Sequence, residues 1–166
     1  MRGLVARSYA SDMKQLNYRI VPLPTDVADA ARQALVAGAS DHALVTADSP
    51  VGYPCRHCLQ WAKPGEQMIL FPFAAVGDGP YHERGPIFVH AEPCARYTET
   101  ASYPAEFRSG RVVRAYDARK FMIDARVVNG EPVEVVVEEL LKNPAAEFLH
   151  VRSATRGCYT FGVERT

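Results

Sequence analysis

The sequence predicts an α+β fold: one domain with a mainly antiparallel sheet, two helices and a long proline-rich irregular segment. Three observations lead there. The β-rich runs come as sequential pairs with short connections, as in antiparallel sheets. Only two windows carry apolar residues at helical spacing. And seven of the chain's 12 prolines fall between Asp48 and Cys94, breaking that stretch into short pieces. Residues 1–16 are read as an N-terminal extension and residues 17–166 as the domain.

Taken in order, Asn17 to Leu23 alternates apolar and polar residues and ends in Pro22 and Pro24, which predicts a strand. Thr25 and Asp26 offer an N-cap. Val27, Ala30, Ala31, Ala34 and Leu35 then recur at helical spacing until Gly38 stops them. The proline-rich stretch holds three of the four cysteines and three of the five histidines. Two strands fit inside it, Gln67 to Phe71 and Ile87 to His90. Tyr53, Trp61, Phe71, Phe73, Tyr81 and Phe88 argue that it is ordered.

Arg111 to Tyr116 and Phe121 to Val128 predict a hairpin. Phe121, Ile123, Ala125 and Val127 share one face of its second strand, so that strand is expected to be half-buried. Pro132 suits a first helical turn, with Glu131 and Glu134 at the positive end of the dipole. Val133, Val136, Val137, Leu140 and Leu141 make one stripe, Glu138 and Lys142 are spaced to pair, and Asn143-Pro144 ends the helix. Glu147 to Arg152 and Cys158 to Glu164 are the last two strands. The helices are expected on one face of the sheet.

Composition excludes several classes of function. A length of 166 residues suits one self-sufficient core. Nineteen basic and 19 acidic side chains give a formal net charge of zero, against a nucleic-acid partner. The longest near-apolar run, Met68 to Val76, is interrupted by Pro72 and is too short to span a bilayer. Arg2 and Arg7 are not followed by an apolar run, so no secretory signal and a cytoplasmic location are expected. There, cysteines serve as thiols, metal ligands or redox groups. Nothing in the sequence sets an oligomeric state.

The chemistry concentrates in two strings. Pro54-Cys55-Arg56-His57-Cys58 places two thiols at the C-x-x-C spacing that lets both reach one ion. His90-Ala91-Glu92-Pro93-Cys94 adds an imidazole and a third thiol. Together Cys55, Cys58, His90 and Cys94 make a tetrahedral set that zinc accepts, and Glu92 is placed to orient the site or a bound water. The plain alternative is three small buried thiols and a hydrogen-bonded histidine. A sharper one is deaminase chemistry, which uses His-x-Glu with Pro-Cys-x-x-Cys. Here the order is reversed, and Pro93 disfavours a helix starting at His90. A third is thiol chemistry, with Cys58 or Cys94 activated by His57 or His90. The catalytic candidates are therefore Cys58, Cys94, His90 and Glu92, and whether the protein is an enzyme stays open. A non-catalytic interaction module, with the proline-rich segment as scaffold, is the remaining class.

A second group lies on the strands. Arg114 and Tyr116 share a strand face, as do His150 and Arg152. If those strands are neighbours, Arg114, His150 and Arg152 line a pocket for the carboxylate or phosphate of a small molecule. The alternative is a solvated sheet face. No Walker sequence, dinucleotide fingerprint or nucleophile elbow is present.

These residues resemble the domain-of-unknown-function family number 1203. The resemblance is carried by Tyr53 to Leu59, Lys63-Pro64-Gly65-Glu66 and Gly85 to Cys94. It continues in Arg114-Ala115-Tyr116-Asp117, His150-Val151-Arg152 and Gly157-Cys158-Tyr159. It extends from about Asn17 to near the C-terminus. It implies a small, stand-alone, mostly bacterial protein and carries no activity with it. Relatives reading Leu-Arg-Cys-Cys-Leu across Cys55 to Leu59 imply a shared site of Cys58, His90 and Cys94.

Overall fold

A computed structural model of the chain describes residues 18–166. The expected N-terminal extension, and Asn17 at the head of the first strand, lie outside the described residues. Eight strands and two helices follow: β1 (Tyr18–Val21), α1 (Thr25–Val36), β2 (Ala43–Thr46), β3 (Gln67–Phe73), β4 (Gly85–His90), β5 (Arg111–Tyr116), β6 (Met122–Val127), α2 (Val133–Leu141), β7 (Phe148–Ser153) and β8 (Tyr159–Arg165). All strand pairings are antiparallel. The α+β class holds, but the strands divide into two sheets. One has five strands in the order β1-β8-β7-β5-β6. The other has three, in the order β2-β3-β4.

Each sheet has its own helix, which corrects the expectation of both helices on one face. Helix α2 packs on β5 and β6, and α1 packs on β3. Val133, Val136, Val137, Leu140 and Leu141 of α2 are all buried, against Val113, Ala115, Leu149, Val151, Phe161 and Val163 of the five-stranded sheet. The smaller core joins Ala28 and Ala31 of α1 to Met68, Ile69, Phe71, Ile87 and Val89. Ala30, expected inside, faces out.

Three local readings change, and one strand is added. Thr25 is the first residue of α1, not its cap. Pro24 stands at the N-cap position, and the Thr25 hydroxyl is used by His57 instead. Strand β2 was not legible: it is four residues long, mostly exposed, and has no alternation to see. Strand β6 is an edge strand whose last four residues are all exposed, including Val127, so it is not half-buried. Lys142 lies 3.8 Å from Glu139, the residue after the partner its spacing suggested.

Pro72 extends β3 beyond its expected end at Phe71. The missing N–H costs no ladder bond to β2, because β2 pairs only with Gln67 to Leu70. The connection between β3 and β4 folds back over the five-stranded sheet, on the face away from α2. Tyr81 meets Tyr116 and Phe121 there edge-on. No helix among the described residues is long and apolar enough to cross a membrane.

Candidate functional site

The segment carrying Cys55 and Cys58 is a tight knuckle between the two cores. The Leu59 amide donates to the Cys55 carbonyl at 3.0 Å, closing the turn over the two thiols. Leu59 takes the left-handed conformation, φ 54°, and buries its side chain in the larger core. Cys55 belongs to the smaller core and bridges to Phe88 of β4. Arg56, fully buried, donates from Nε to the Tyr159 carbonyl of β8 at 2.8 Å and from Nη1 to Pro54 at 2.6 Å. Apolar anchorage on both sides fixes the direction of both thiols.

Strand β4 delivers His90 to the knuckle, and the turn after it delivers Cys94. Cys55, Cys58 and Cys94 Sγ and a ring nitrogen of His90 all lie within 4.8 Å of one another. Cys55 Sγ is 3.8 Å from Cys94 Sγ, and Cys58 Sγ is 3.5 Å from His90 Nδ1. Regular tetrahedral coordination with zinc–sulfur and zinc–nitrogen bonds near 2.3 and 2.0–2.1 Å has ligand–ligand edges of roughly 3.8 and 3.5 Å. Those two edges of the cluster match.

The next layer is also in place. His90 Nε2 sits 3.3 Å from a Glu66 carboxylate oxygen, leaving Nδ1 for the cluster. Glu66 is held in turn by the Lys63 amide at 2.7 Å. That turn is tied to the end of β2 by Gly65 N–H to Ala47 O and Ala47 N–H to Glu66 O. His57, buried, faces Cys94 Sγ with Nδ1 at 3.2 Å and the Thr25 hydroxyl with Nε2 at 2.9 Å. The two contacts fit one neutral tautomer, with Nδ1–H donating to sulfur and Nε2 accepting from Thr25.

Electrostatically the four groups act as a unit. Hydrogen bonds from Cys58 and Cys94 hold the Cys55 thiol well below the ordinary thiol range. Hydrogen bonding to Cys55 and Cys94 pushes the Cys58 thiol up, and burial and the neighbouring sulfur charges add to it. The same two sulfurs raise His90 to about 10. Burial pushes His57 down, toward its neutral form. A cation at the centre would take the place of the protons the cluster shares.

Glu92 is exposed, on the wall of an open cleft of about 470 Å3 that also touches His90 and Cys94. The carboxylate beside His90 belongs to Glu66, which spacing did not single out. Its only sequence trace is the Lys63-Pro64-Gly65-Glu66 turn. Neither Cys55–Cys58 nor His90 opens a helix, unlike the two motif elements of the deaminases. Cys158 lies apart, its sulfur 3.7 Å from the Arg156 carbonyl.

The second predicted group lies on the five-stranded sheet. Strands β5 and β7 are neighbours, and Arg114 sits directly across from His150. His150 and Arg152 are each only 5% exposed, so this face is not solvated. Both arginines reach Glu83 of the β3–β4 connection: Arg114 at 3.5 Å, and Arg152 through a close Nη1–Oε1 contact. His150 is surrounded by the rings of Tyr116, Phe148 and Tyr159. Burial first, then Arg152 and Arg114, push it down to about 3.

No curated protein and no solved structure matches the chain. A family model does, over a shorter span than the expected start near Asn17: β1, α1 and β2 precede the match, so Thr25 behind His57 comes from outside it. The matched stretch, residues 52–165, contains the knuckle, Glu66, His90, Cys94 and the arginine-bearing strands, and the chain belongs to the family of proteins of unknown function designated DUF1203.

Proposed function

We propose that this protein binds one zinc ion through Cys55, Cys58 and Cys94 Sγ and His90 Nδ1, and that the ion is structural. The observation that carries the reading is the convergence of four ligand atoms, from two separate segments, within 4.8 Å. The chemistry of the set supports zinc: three thiolates and one imidazole are a standard closed shell for it. The Glu66 carboxylate behind His90 is the usual device for fixing a ligand imidazole. Four protein ligands leave no position for water or substrate, which favours a structural centre over a hydrolytic one. The ion would clamp the knuckle to the end of β4.

The test is metal analysis of untagged full-length chain, with thiol titration in parallel. The expected result is about one zinc per chain, with one fast-reacting thiol (Cys158) and three protected until a chelator is added. X-ray absorption should report three sulfurs and one nitrogen. Zinc below about a tenth of an equivalent, with four thiols reacting together, would sink the proposal.

A further inference from the structure

The arginine-bearing face opens into a groove that uses none of the four metal-ligand candidates. Its smaller chamber, about 250 Å3, is lined by Arg114, Arg152, Arg156, Glu83 and Tyr159. Its larger chamber, about 510 Å3, has Trp61, Leu70, Phe88 and Pro54 in its walls together with Arg111. Pro86, Arg156 and Cys158 line both, so the chambers adjoin. The combination is a mostly apolar cavity of ligand size with a cationic end.

The cationic end is incompletely matched. Arg152 Nη1 bonds the Gly157 carbonyl at 3.1 Å, but its buried Nε has no partner among the described residues. His150 Nδ1 and the Tyr116 hydroxyl, on the same face but outside the lining of either chamber, are also buried without a partner among the described residues. Glu83 bridges two of the arginines, yet its own side chain is 50% exposed, whereas that of Arg152 is 7% exposed. It therefore reaches inward from an exposed connection onto a buried guanidinium. A buried cation is costly to leave unpaired, so one carboxylate can leave only as another anion arrives. An incoming acid that takes Arg152 bidentately, with Arg114 beside it, makes that exchange with better geometry than a single shared oxygen.

We propose that this groove binds a small organic acid, its carboxylate or phosphate head on Arg152 and Arg114 and its apolar body against Trp61, Leu70 and Phe88, with Glu83 as an internal placeholder that the head displaces. The proposal stands whether or not the Cys–His cluster holds zinc.

Calorimetric titration of the full-length chain, at its native metal content, tests it with four probes: phenylacetate, phenyl phosphate, benzyl alcohol and inorganic phosphate. At least one of the two aromatic acids should saturate the chain below about 10 mM. The tighter of them identifies the head. Benzyl alcohol lacks the charge and inorganic phosphate lacks the apolar body, so each should bind at least about tenfold more weakly. Arg114→Gln, at a partly exposed position that folding tolerates, should weaken the preferred acid about tenfold or more, the scale of a charge-assisted pair. Glu83→Gln should tighten it severalfold by removing the competitor. No saturation by either acid, or equal binding of benzyl alcohol, overturns the site. An unchanged affinity in Arg114→Gln removes the head assignment, and weaker binding in Glu83→Gln removes the placeholder.

Discussion

His90 and His150 both end up largely buried on strands, and their surroundings drive them in opposite directions. At the end of β4, His90 has a partner at each nitrogen: Cys58 at Nδ1 and Glu66 at Nε2. Negative sulfur raises it to about 10. On β7, His150 is buried among aromatic rings beside two arginines, has no partner at Nδ1 among the described residues, and is held down to about 3. The first is a ligand set complete in both layers. The second is a cationic face served by one borrowed carboxylate. Burial pushes both histidines down; at His90 the sulfurs outweigh it, and at His150 the two arginines add to it.

The largest expected effect comes from breaking the complete site. Structural zinc contributes about 10–16 kcal/mol of apparent binding energy in small zinc-finger peptides, as large as the whole stability of an ordinary domain, about 5–15 kcal/mol. Cys58→Ser should therefore abolish zinc retention and lower the melting temperature as far as chelation lowers it in the parent chain. Cys158→Ser should stay within about 0.5 kcal/mol of the parent. Equal melting temperatures for the two variants would mean that Cys58 is an ordinary thiol.

Next is a cavity in the other half of the molecule. Leu149 is fully buried beneath α2. Leu149→Ala should cost about 2–5 kcal/mol in denaturant unfolding. Zinc content should not change, because the knuckle's anchorage in that core runs through Leu59 and not through Leu149. A variant that lost both stability and zinc would show that the two halves fold as one unit, and would erase the contrast drawn between them.

A finer test removes one layer of the complete site. Glu66→Gln keeps the hydrogen-bonding reach to His90 but not the charge. Loss of such a partner typically weakens metal binding about 10–100-fold. Competition against a chromophoric chelator reads this directly. Unchanged affinity would leave Glu66 as a surface neighbour.

Those tests also mark what the sequence made legible. Cys55, Cys58, His90 and Cys94 were visible as candidates because each pair lies within five residues, a spacing that lets both members reach one ion, but that the two pairs meet is shown only by the fold. The α2 stripe was visible for the same reason: its period survives in the sequence. Glu66 was not, because it precedes β3 and meets His90 only through the register of β3 against β4, which sets Met68 across from His90 and which two separate strand signals do not reveal. Thr25 read as a helix cap because that is the local use of such a residue. Its actual partner, His57, lies 32 positions away. Glu83 had no signal at all: an acid in a turn gives no hint that it will fold back onto arginines from β5 and β7. Arg114, His150 and Arg152 could be placed on faces, but only the register made Arg114 and His150 cross-strand neighbours.

The smallest effect concerns the unmatched histidine and depends on pH. An unfolded chain protonates His150 near the ordinary value of about 6.5, and the folded chain does so only near about 3. Between those values the unfolded state binds the extra proton. Stability from this group is therefore unaffected above about pH 6.5 and falls as pH drops toward about 3. At about pH 5 the loss is about 2 kcal/mol, nearly independent of the folded value once that lies below about 4. His150→Phe replaces the ring by one suited to the cage of Tyr116, Phe148 and Tyr159 and gives up no Nδ1 hydrogen bond. Acid also protonates the cysteine ligands, but equally in both chains. The variant should therefore lose about 2 kcal/mol less than the parent between about pH 7 and about pH 5, measured by urea unfolding at each pH. Parallel stability curves would mean that His150 already finds an anion or a proton acceptor in the folded chain, and the contrast with His90 would then be one of degree.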